Sequence, residues 1–281
     1  MVLLAIVAAT LATGIGSVWV AALLMRAGLG GKEGTQHLLS LAAGALLATA
    51  FMHLLPEAFE SQAGAHDLFA TLLVGVVFFF LLDKAELWHH GHEHSHSAPA
   101  AQDHAHGHGH SDDAHHGHDH GHSHAHHHHG PRSGGWAVLT GDSVHCFGDG
   151  ILIASAFLAD IRLGVIAAVS VLAHEVPHHM GDLVVLRQTS PNRRMALVKV
   201  SLAGAVTALG GVVGYFLVGQ LQDFLPYFLA VASSSFVYVA LADLIPQLQK
   251  RLTARETIAQ IAWLIAGMVI VTLVSGAAHA H

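Results

Sequence analysis

Eight apolar stretches, each long enough to cross a lipid bilayer, constrain this 281-residue chain more than any other feature of its sequence. A spanning helix needs about 20 mostly apolar residues. The stretches cover approximately residues 2–25, 37–59, 66–85, 136–159, 163–186, 195–219, 224–246 and 257–278. Only 11% of the residues are charged, whereas a soluble domain has about 25%. The sequence therefore predicts an all-α polytopic membrane protein with eight transmembrane helices, whose partner is the lipid bilayer and not a nucleic acid.

The distribution of basic residues predicts how these helices cross the membrane. No Lys or Arg precedes the first stretch, and its apolar run is longer than that of a signal peptide, so we expect it to be helix 1. Eleven of the 12 Lys and Arg residues lie at the connections after helices 1, 3, 5 and 7, and only Arg162 lies on the other side. Because basic residues favour the cytoplasmic side, we expect both termini outside, in a plasma (inner) membrane protein.

A histidine-rich segment separates helices 3 and 4. It holds 19 histidines between His89 and His129, interspersed with Gly, Ser, Ala and Asp, a composition that cannot form a hydrophobic core. Its internal and irregular placement argues against an expression tag. We therefore divide the chain into transmembrane helices 1–3 (residues 1–88), a cytosolic, His-rich, disordered loop that buffers metal or senses filled cytosolic pools (89–135), and transmembrane helices 4–8 (136–281).

Helices 4 and 5 carry ionisable side chains at helical spacing. His145 and Asp149 are four residues apart, as are His174 and His178, so each pair shares one helix face. In an antiparallel hairpin that turns near residue 161, both pairs lie at one depth near the bilayer centre. An Asp at that depth costs at least about 2.5 kcal/mol, so we expect a cation to compensate for these groups. The alternative is a buried polar network that only locks the two helices together.

Imidazole and carboxylate ligands suit Zn²⁺, which we expect as a transported substrate, and the same ligands accept Fe²⁺, Mn²⁺ or Cd²⁺. The predicted metal ligands are His145, Asp149, His174, Glu175 and His178. A second set of predicted secondary-ligand or pathway residues comprises Asp142, Cys146, His179, His53, Glu57 and Asp243. Pro177 lacks an N–H, which frees the carbonyl of Ala173 and predicts a kink beside the ligands.

A short repeat suggests internal symmetry. Helix 2 contains His53-Leu-Leu-Pro56-Glu57, and helix 7, which runs in the opposite direction, contains Asp243-Leu-Ile-Pro246-Gln247. Inverted repeats with interrupted helices are typical of transporters. We therefore predict a 3+2+3 arrangement in which helices 1–3 and 6–8 are inverted copies, although a match this short also arises by chance.

These motifs resemble those of the ZIP (Zrt-, Irt-like protein) family of metal transporters and its subfamily with a His-rich loop. His145-Cys-Phe-Gly-Asp149-Gly is similar to the family's His-Asn-x-x-Asp/Glu-Gly, and His174-Glu-Val-Pro-His-His179 to the subfamily's His-Glu-x-Pro-His-Glu. The resemblance implies import of zinc into the cytoplasm through a central site on helices 4 and 5. It also implies that His145, Asp149, His174 and His178 are primary ligands, with Glu175 at a neighbouring second-site position.

This sequence departs from the family pattern at two positions. Cys146 stands where the family usually has Asn, and His179 stands where the subfamily has Glu. Helix 6 has Thr207 near a position where some members place a metal-binding Glu. Whether a second, adjacent metal site exists therefore stays open, as do the role of Cys146, proton coupling and a homodimeric assembly.

Two rival functions share some of these features. His174-Glu175-x-x-His178 satisfies the pattern of zinc metalloproteases, but Pro177 disturbs the helical turn that must orient both histidines. A zinc exporter of the cation diffusion facilitator type also carries His-rich loops, but we expect six helices and a cytosolic C-terminal domain for such a protein. Only three residues follow helix 8. We therefore expect a metal importer and not an enzyme.

Overall fold

The computed structural model describes residues 1–91, 134–189, 192–245 and 253–279. All regular elements within these ranges are helical, and eight helices are long and apolar enough to cross a membrane. They are α1 (Val2–Arg26), α2 (Glu33–Phe59), α3 (Ala65–Gly91), α4 (Gly134–Ala159), α5 (Ile161–Thr189), α6 (Arg193–Gln220), α7 (Gln222–Leu244) and α8 (Ala254–His279). The predicted all-α class with eight transmembrane helices is confirmed, whereas the 3+2+3 arrangement stays a prediction.

Several helices extend beyond the apolar stretches that predict them. α2 begins four residues before the predicted start at residue 37, α3 continues to Gly91, and α4 begins at Gly134. The helical backbone continues into polar residues at the membrane surface, so a hydropathy pattern does not indicate where these helices end. Helix therefore occupies both edges of the predicted loop at 89–135, and the histidines between residues 92 and 133 lie outside the described residues.

Among the residues that the structure describes, three helices contain a π-helical turn that hydropathy does not predict. These turns cover Ala12–Gly16 in α1, Ala50–Leu54 in α2 and Val239–Leu244 at the end of α7. The turns in α2 and α7 each end two residues before a proline, Pro56 and Pro246 respectively. The two copies of the predicted repeat thus share a widened turn as well as a sequence pattern.

α4 and α6 approach each other closely because glycine lies at their contact. A Cβ atom added to Gly150 of α4 would lie 2.1 Å from the carbonyl oxygen of Thr207 in α6, and one added to Gly210 would lie 2.1 Å from that of Phe147. Small residues allow membrane helices to pack backbone against backbone. This contact fixes the face of α4 that carries Asp149.

α5 occupies the interior of the bundle. It packs against α1, α2 and α4, and it runs as one continuous helix through Pro177. α3 and α8 lie at the periphery of the bundle. Only 11% of the residues in the most apolar stretch of each of these helices are buried, compared with 61% for α5. The polar side chains of α5 are therefore shielded from lipid by the surrounding helices.

Candidate metal centre

Four side chains from α4 and α5 form what we call the first ligand group: His145, Asp149, His174 and Glu175. His145 Nε2 lies 3.3 Å from His174 Nε2, 3.4 Å from Glu175 Oε1 and 3.8 Å from Asp149 Oδ2. His174 Nε2 lies 3.1 Å from Asp149 Oδ2 and 3.6 Å from Glu175 Oε1. The predicted convergence of these four residues is therefore present in the structure.

The spacing of the first ligand group matches the coordination shell of zinc. With zinc–ligand bonds of about 2.0–2.1 Å, neighbouring ligands of a tetrahedral site lie about 3.3 Å apart. The five distances above, between 3.1 and 3.8 Å, scatter around that value. A divalent cation at the centre of the group can therefore contact all four side chains after small rotations.

Hydrogen bonding orients the ring of His174. Its Nδ1 lies 3.3 Å from the carbonyl oxygen of Ser170, which can only accept, so Nδ1 carries the proton and donates it. Nε2 then holds a lone pair that faces the first ligand group. The hydroxyl of Ser170 is in turn hydrogen-bonded to that of Thr49, so α2 braces the turn of α5 that precedes the ligand.

Carboxylate oxygens complete a cluster that is rich in acceptors. Asp149 is 2% exposed and Glu175 is 1% exposed, and neither Asp149 Oδ2 nor Glu175 Oε1 makes a hydrogen bond of normal geometry, although imidazole nitrogens lie 3.1 and 3.4 Å from them. The side chain of His145 is 30% exposed, so one edge of the group is accessible. Buried acceptors without donors are costly, and a bound cation removes that cost.

A second ligand group lies directly beside the first and consists of Asp142, Cys146, Glu175 and His179. Glu175 Oε2 lies 3.1 Å from His179 Nε2 and 3.7 Å from the sulfur of Cys146. Asp142 Oδ1 lies 3.6 Å from His179 Nε2 and 3.7 Å from the same sulfur. Glu175 thus turns one oxygen toward each group, a geometry in which a carboxylate can bridge two cations.

The remaining predicted residues have other placements. The ring of His178 lies 5.5 Å from that of His145 and 5.9 Å from that of His174, beside the first ligand group but outside its four-atom cluster. His53 lies in the π turn of α2, and Glu57 is exposed one turn later. Asp243 lies in the π turn of α7, and its side chain is outside the described part of the chain.

Three hydroxyl residues that sequence reasoning did not identify contribute to the site. Ser170 and Thr49 support His174, and Ser17 of α1 lies 2.8 Å from His179 Nδ1. Serine and threonine are common in membrane helices and satisfy their own hydroxyls on the preceding turn, so their identity carries little signal. Only Ser170, four residues before His174, has a spacing that points toward the site.

Comparison with known proteins relates the whole chain to one family. A family model described as ZIP zinc transporter matches residues 1–275. Zinc transporter ZIP4 of Homo sapiens is 36% identical over 115 residues, which are 41% of this chain and 18% of that protein. Zinc transporter foi of Drosophila melanogaster is 31% identical over 141 residues, 50% of this chain and 20% of that protein.

A third relative, zinc transporter ZIP10 of Danio rerio, is 38% identical over 114 residues, which are 40% of this chain and 13% of that protein. The chain thus spans at most a fifth of the length of these relatives. The family consists of metal transporters that reside in membranes, not enzymes. Since the family model covers nearly every residue, this chain is an integral membrane protein that belongs to the ZIP zinc transporter family.

Proposed function

We propose that this protein imports Zn²⁺ into the cytoplasm and that the ion binds the first ligand group on its way across the membrane. Zinc is the proposed ion because imidazole and carboxylate are both zinc ligands, the distances within the first ligand group fit a tetrahedral site, and the relatives are named zinc transporters. Acceptance of Fe²⁺, Mn²⁺ or Cd²⁺ and the homodimer stay predictions.

One observation supports this proposal: two imidazole nitrogens and two carboxylate oxygens converge in the buried interior of the bundle. His174 Nε2 lies 3.1 Å from Asp149 Oδ2 and 3.6 Å from Glu175 Oε1, and neither of these two oxygens makes a hydrogen bond of normal geometry. Electrostatic repulsion in a low-dielectric interior makes such an arrangement unfavourable by itself. A divalent cation in transit supplies the missing positive charge.

The second ligand group extends the same proposal. Asp142, Cys146 and His179 provide oxygen, sulfur and nitrogen ligands around Glu175 Oε2, and a tetrahedral zinc site with one sulfur has neighbouring ligands about 3.5 Å apart. The observed distances are 3.1–3.7 Å. We propose a second cation position here, adjacent to the first and sharing Glu175 with it.

The path on either side follows from the residues at the helix ends. With both termini outside, His53 and Glu57 lie toward the outer end of α2, where they can receive metal, and Asp243 lies toward the inner end of α7. The ion then leaves toward the cytosolic His-rich loop. We propose alternating access by movement of one helical bundle against another, as expected for inverted repeats, at the plasma membrane.

Radiozinc uptake tests the proposal. Cells that express the chain are expected to accumulate zinc faster than cells with an empty vector, and His174→Ala is expected to abolish the increase. His37→Ala is the matched control. Like His174, His37 is a histidine in a predicted membrane-spanning helix, but it lies in α2 and stacks on Trp263 of α8 with ring centroids 5.5 Å apart. Equal uptake by the wild type and His174→Ala would remove the first ligand group from the transport path.

The same experiment distinguishes import from export. An exporter lowers intracellular zinc on expression, whereas the proposed importer raises it. Purified protein in liposomes with zinc outside gives a second test, since influx must depend on the protein and must be lost in His174→Ala. Depletion of intracellular zinc would overturn the direction while leaving the binding site in place.

A further inference from the structure

Ser17 of α1 occupies a position beside the second ligand group that family membership does not explain. Its Oγ lies 2.8 Å from His179 Nδ1 and also 2.8 Å from the carbonyl oxygen of Gly14. Ser17 and His179 are both 0% exposed, so water does not compete for either contact. The two residues lie 162 positions apart in the chain, on different helices.

The hydrogen bonds of Ser17 dictate how the imidazole of His179 is oriented. A hydroxyl has one proton, and the carbonyl of Gly14 accepts it. The oxygen can then only accept from His179, so Nδ1 carries a proton, and a neutral ring that binds a cation must do so through Nε2. This leaves the lone pair on Nε2, which lies 3.1 Å from Glu175 Oε2 and 3.6 Å from Asp142 Oδ1.

The backbone of α1 explains why Ser17 reaches His179. Ser17 directly follows the π turn at Ala12–Gly16, where backbone hydrogen bonds join residues five apart instead of four. The neighbouring turn of α1 lies against α6 at Gly14, where a Cβ atom would lie 1.9 Å from the carbonyl oxygen of Gly204. α1 is therefore held firmly where its hydroxyl meets the ring.

We propose that Ser17 is a positioning residue that holds His179 in the tautomer whose Nε2 binds the second cation. This inference rests on the second cation position proposed above. It assigns to α1, which contributes no side chain to either ligand group, a role in setting metal affinity. His179 stands where the subfamily has Glu. Its ring is thus oriented toward the second ligand group by a hydrogen bond with another helix.

Cadmium binding measured at Cys146 tests this assignment, because Cys146 is the only cysteine in the chain. The ultraviolet charge-transfer band between cadmium and a thiolate therefore reports the second ligand group and not the His-rich loop. Full-length protein is titrated in a chelator buffer that sets the concentration of free Cd²⁺. Ser17→Ala is expected to raise the free Cd²⁺ at half-saturation about 10- to 100-fold, the usual effect of losing a partner of a metal-bound histidine.

Controls separate positioning from general packing. Thr13→Val removes a buried hydroxyl from the same turn, one that donates to the carbonyl of Thr10, and is expected to leave the midpoint unchanged. Ser17→Thr keeps the hydroxyl and is expected to bind as the wild type does. In a His179→Ala background, Ser17→Ala is expected to add no further loss, whereas independent losses in the two positions would overturn the assignment.

Two results contradict the proposal in distinguishable ways. A Ser17→Ala midpoint equal to that of the wild type refutes the role of Ser17 alone. No cadmium band in the wild type refutes the second cation position and this inference together, while zinc uptake through the first ligand group is tested separately. If Ser17→Ala does not fold, ¹⁵N spectra of the cadmium-loaded wild type decide, because a His179 ring that is not bound to cadmium through Nε2 with its proton on Nδ1 refutes the proposed tautomer.

Discussion

The contact between α4 and α6 makes one pair of glycine substitutions unusually informative. Gly148 and Gly150 flank Asp149, a proposed metal ligand, but their surroundings differ. A Cβ atom at Gly150 would lie 2.1 Å from the carbonyl oxygen of Thr207 and 2.6 Å from the backbone nitrogen of Gly211, whereas one at Gly148 would meet nothing within 4 Å. Both alanine substitutions gain the same helix propensity, about 1 kcal/mol, so their difference isolates packing.

The size of the expected effect follows from these distances. An ordinary contact needs 3.4 Å, so Gly150→Ala forces α4 about 1.3 Å away from α6. Asp149 moves with α4, away from its position 3.1 Å from His174 Nε2. Because metal–ligand distances tolerate a change of only about 0.2 Å, Asp149 and His174 can then no longer share one ion. Overpacking of this kind costs about 1–3 kcal/mol in stability. A displacement of about 1 Å at a site costs about 100-fold in rate.

Radiozinc uptake at equal expression, together with thermal unfolding of the purified protein, measures both consequences. We expect Gly150→Ala to lose about 100-fold in uptake rate and to unfold at a lower temperature than Gly148→Ala, which should resemble the wild type. Equal uptake and stability for the two variants would show that the close α4–α6 contact does not position Asp149.

Three further predictions concern individual side chains. Asp149→Asn should lower zinc affinity at the first ligand group, because it replaces a charged ligand by a neutral one. Loss of a residue that only supports a ligand costs about 10- to 100-fold in affinity, and we expect a larger loss here. Zinc uptake measured at varied zinc concentration would show this loss as a higher KM. Glu175→Gln should abolish uptake and also weaken the cadmium band of Cys146, since Glu175 belongs to both groups; an unaffected band would contradict the shared carboxylate. Ser170→Ala should destabilise the protein by about 1–3 kcal/mol by orphaning the hydroxyl of Thr49, and adding Thr49→Val should recover most of that loss in unfolding experiments, whereas simple additivity would argue against the bond.

The sequence predicted the helices and the convergence of the side chains in the first ligand group because both depend on simple periodicities. Apolar runs of about 20 residues define spans in a bilayer, and residues four apart share a helix face. Three of the four ligands in the first group follow from that spacing on α4 and α5. Glu175 lies next to His174 in sequence, and its inclusion depends on how far its side chain reaches around the helix.

Other features depend on contacts that a sequence does not encode locally. The two oxygens of Glu175 reach different groups only because Cys146 and His179 lie on one side of it and His145 and His174 on the other. The π turns of α1, α2 and α7 shift the register of one helix against its neighbours, and hydropathy is insensitive to them. Ser17 meets His179 through such a turn, so its role emerges only from the packing of α1 against α5.

His178 illustrates a limit of spacing arguments. It lies four residues after His174 and was predicted as a ligand, yet the structure places its ring against those of His145 and His174 and outside the first cluster. Pro177 precedes it directly and removes a backbone hydrogen bond from this turn of α5. A ligand role for His178 stays a prediction.

Anomalous diffraction at the zinc absorption edge, from crystals grown with zinc, tests the central claim most directly. We predict a peak in the space that four atoms enclose, about 2.0–2.2 Å from each of them: His145 Nε2, Asp149 Oδ2, His174 Nε2 and Glu175 Oε1. Zinc bound elsewhere in the membrane interior, with this space empty in a protein that still transports, would contradict it.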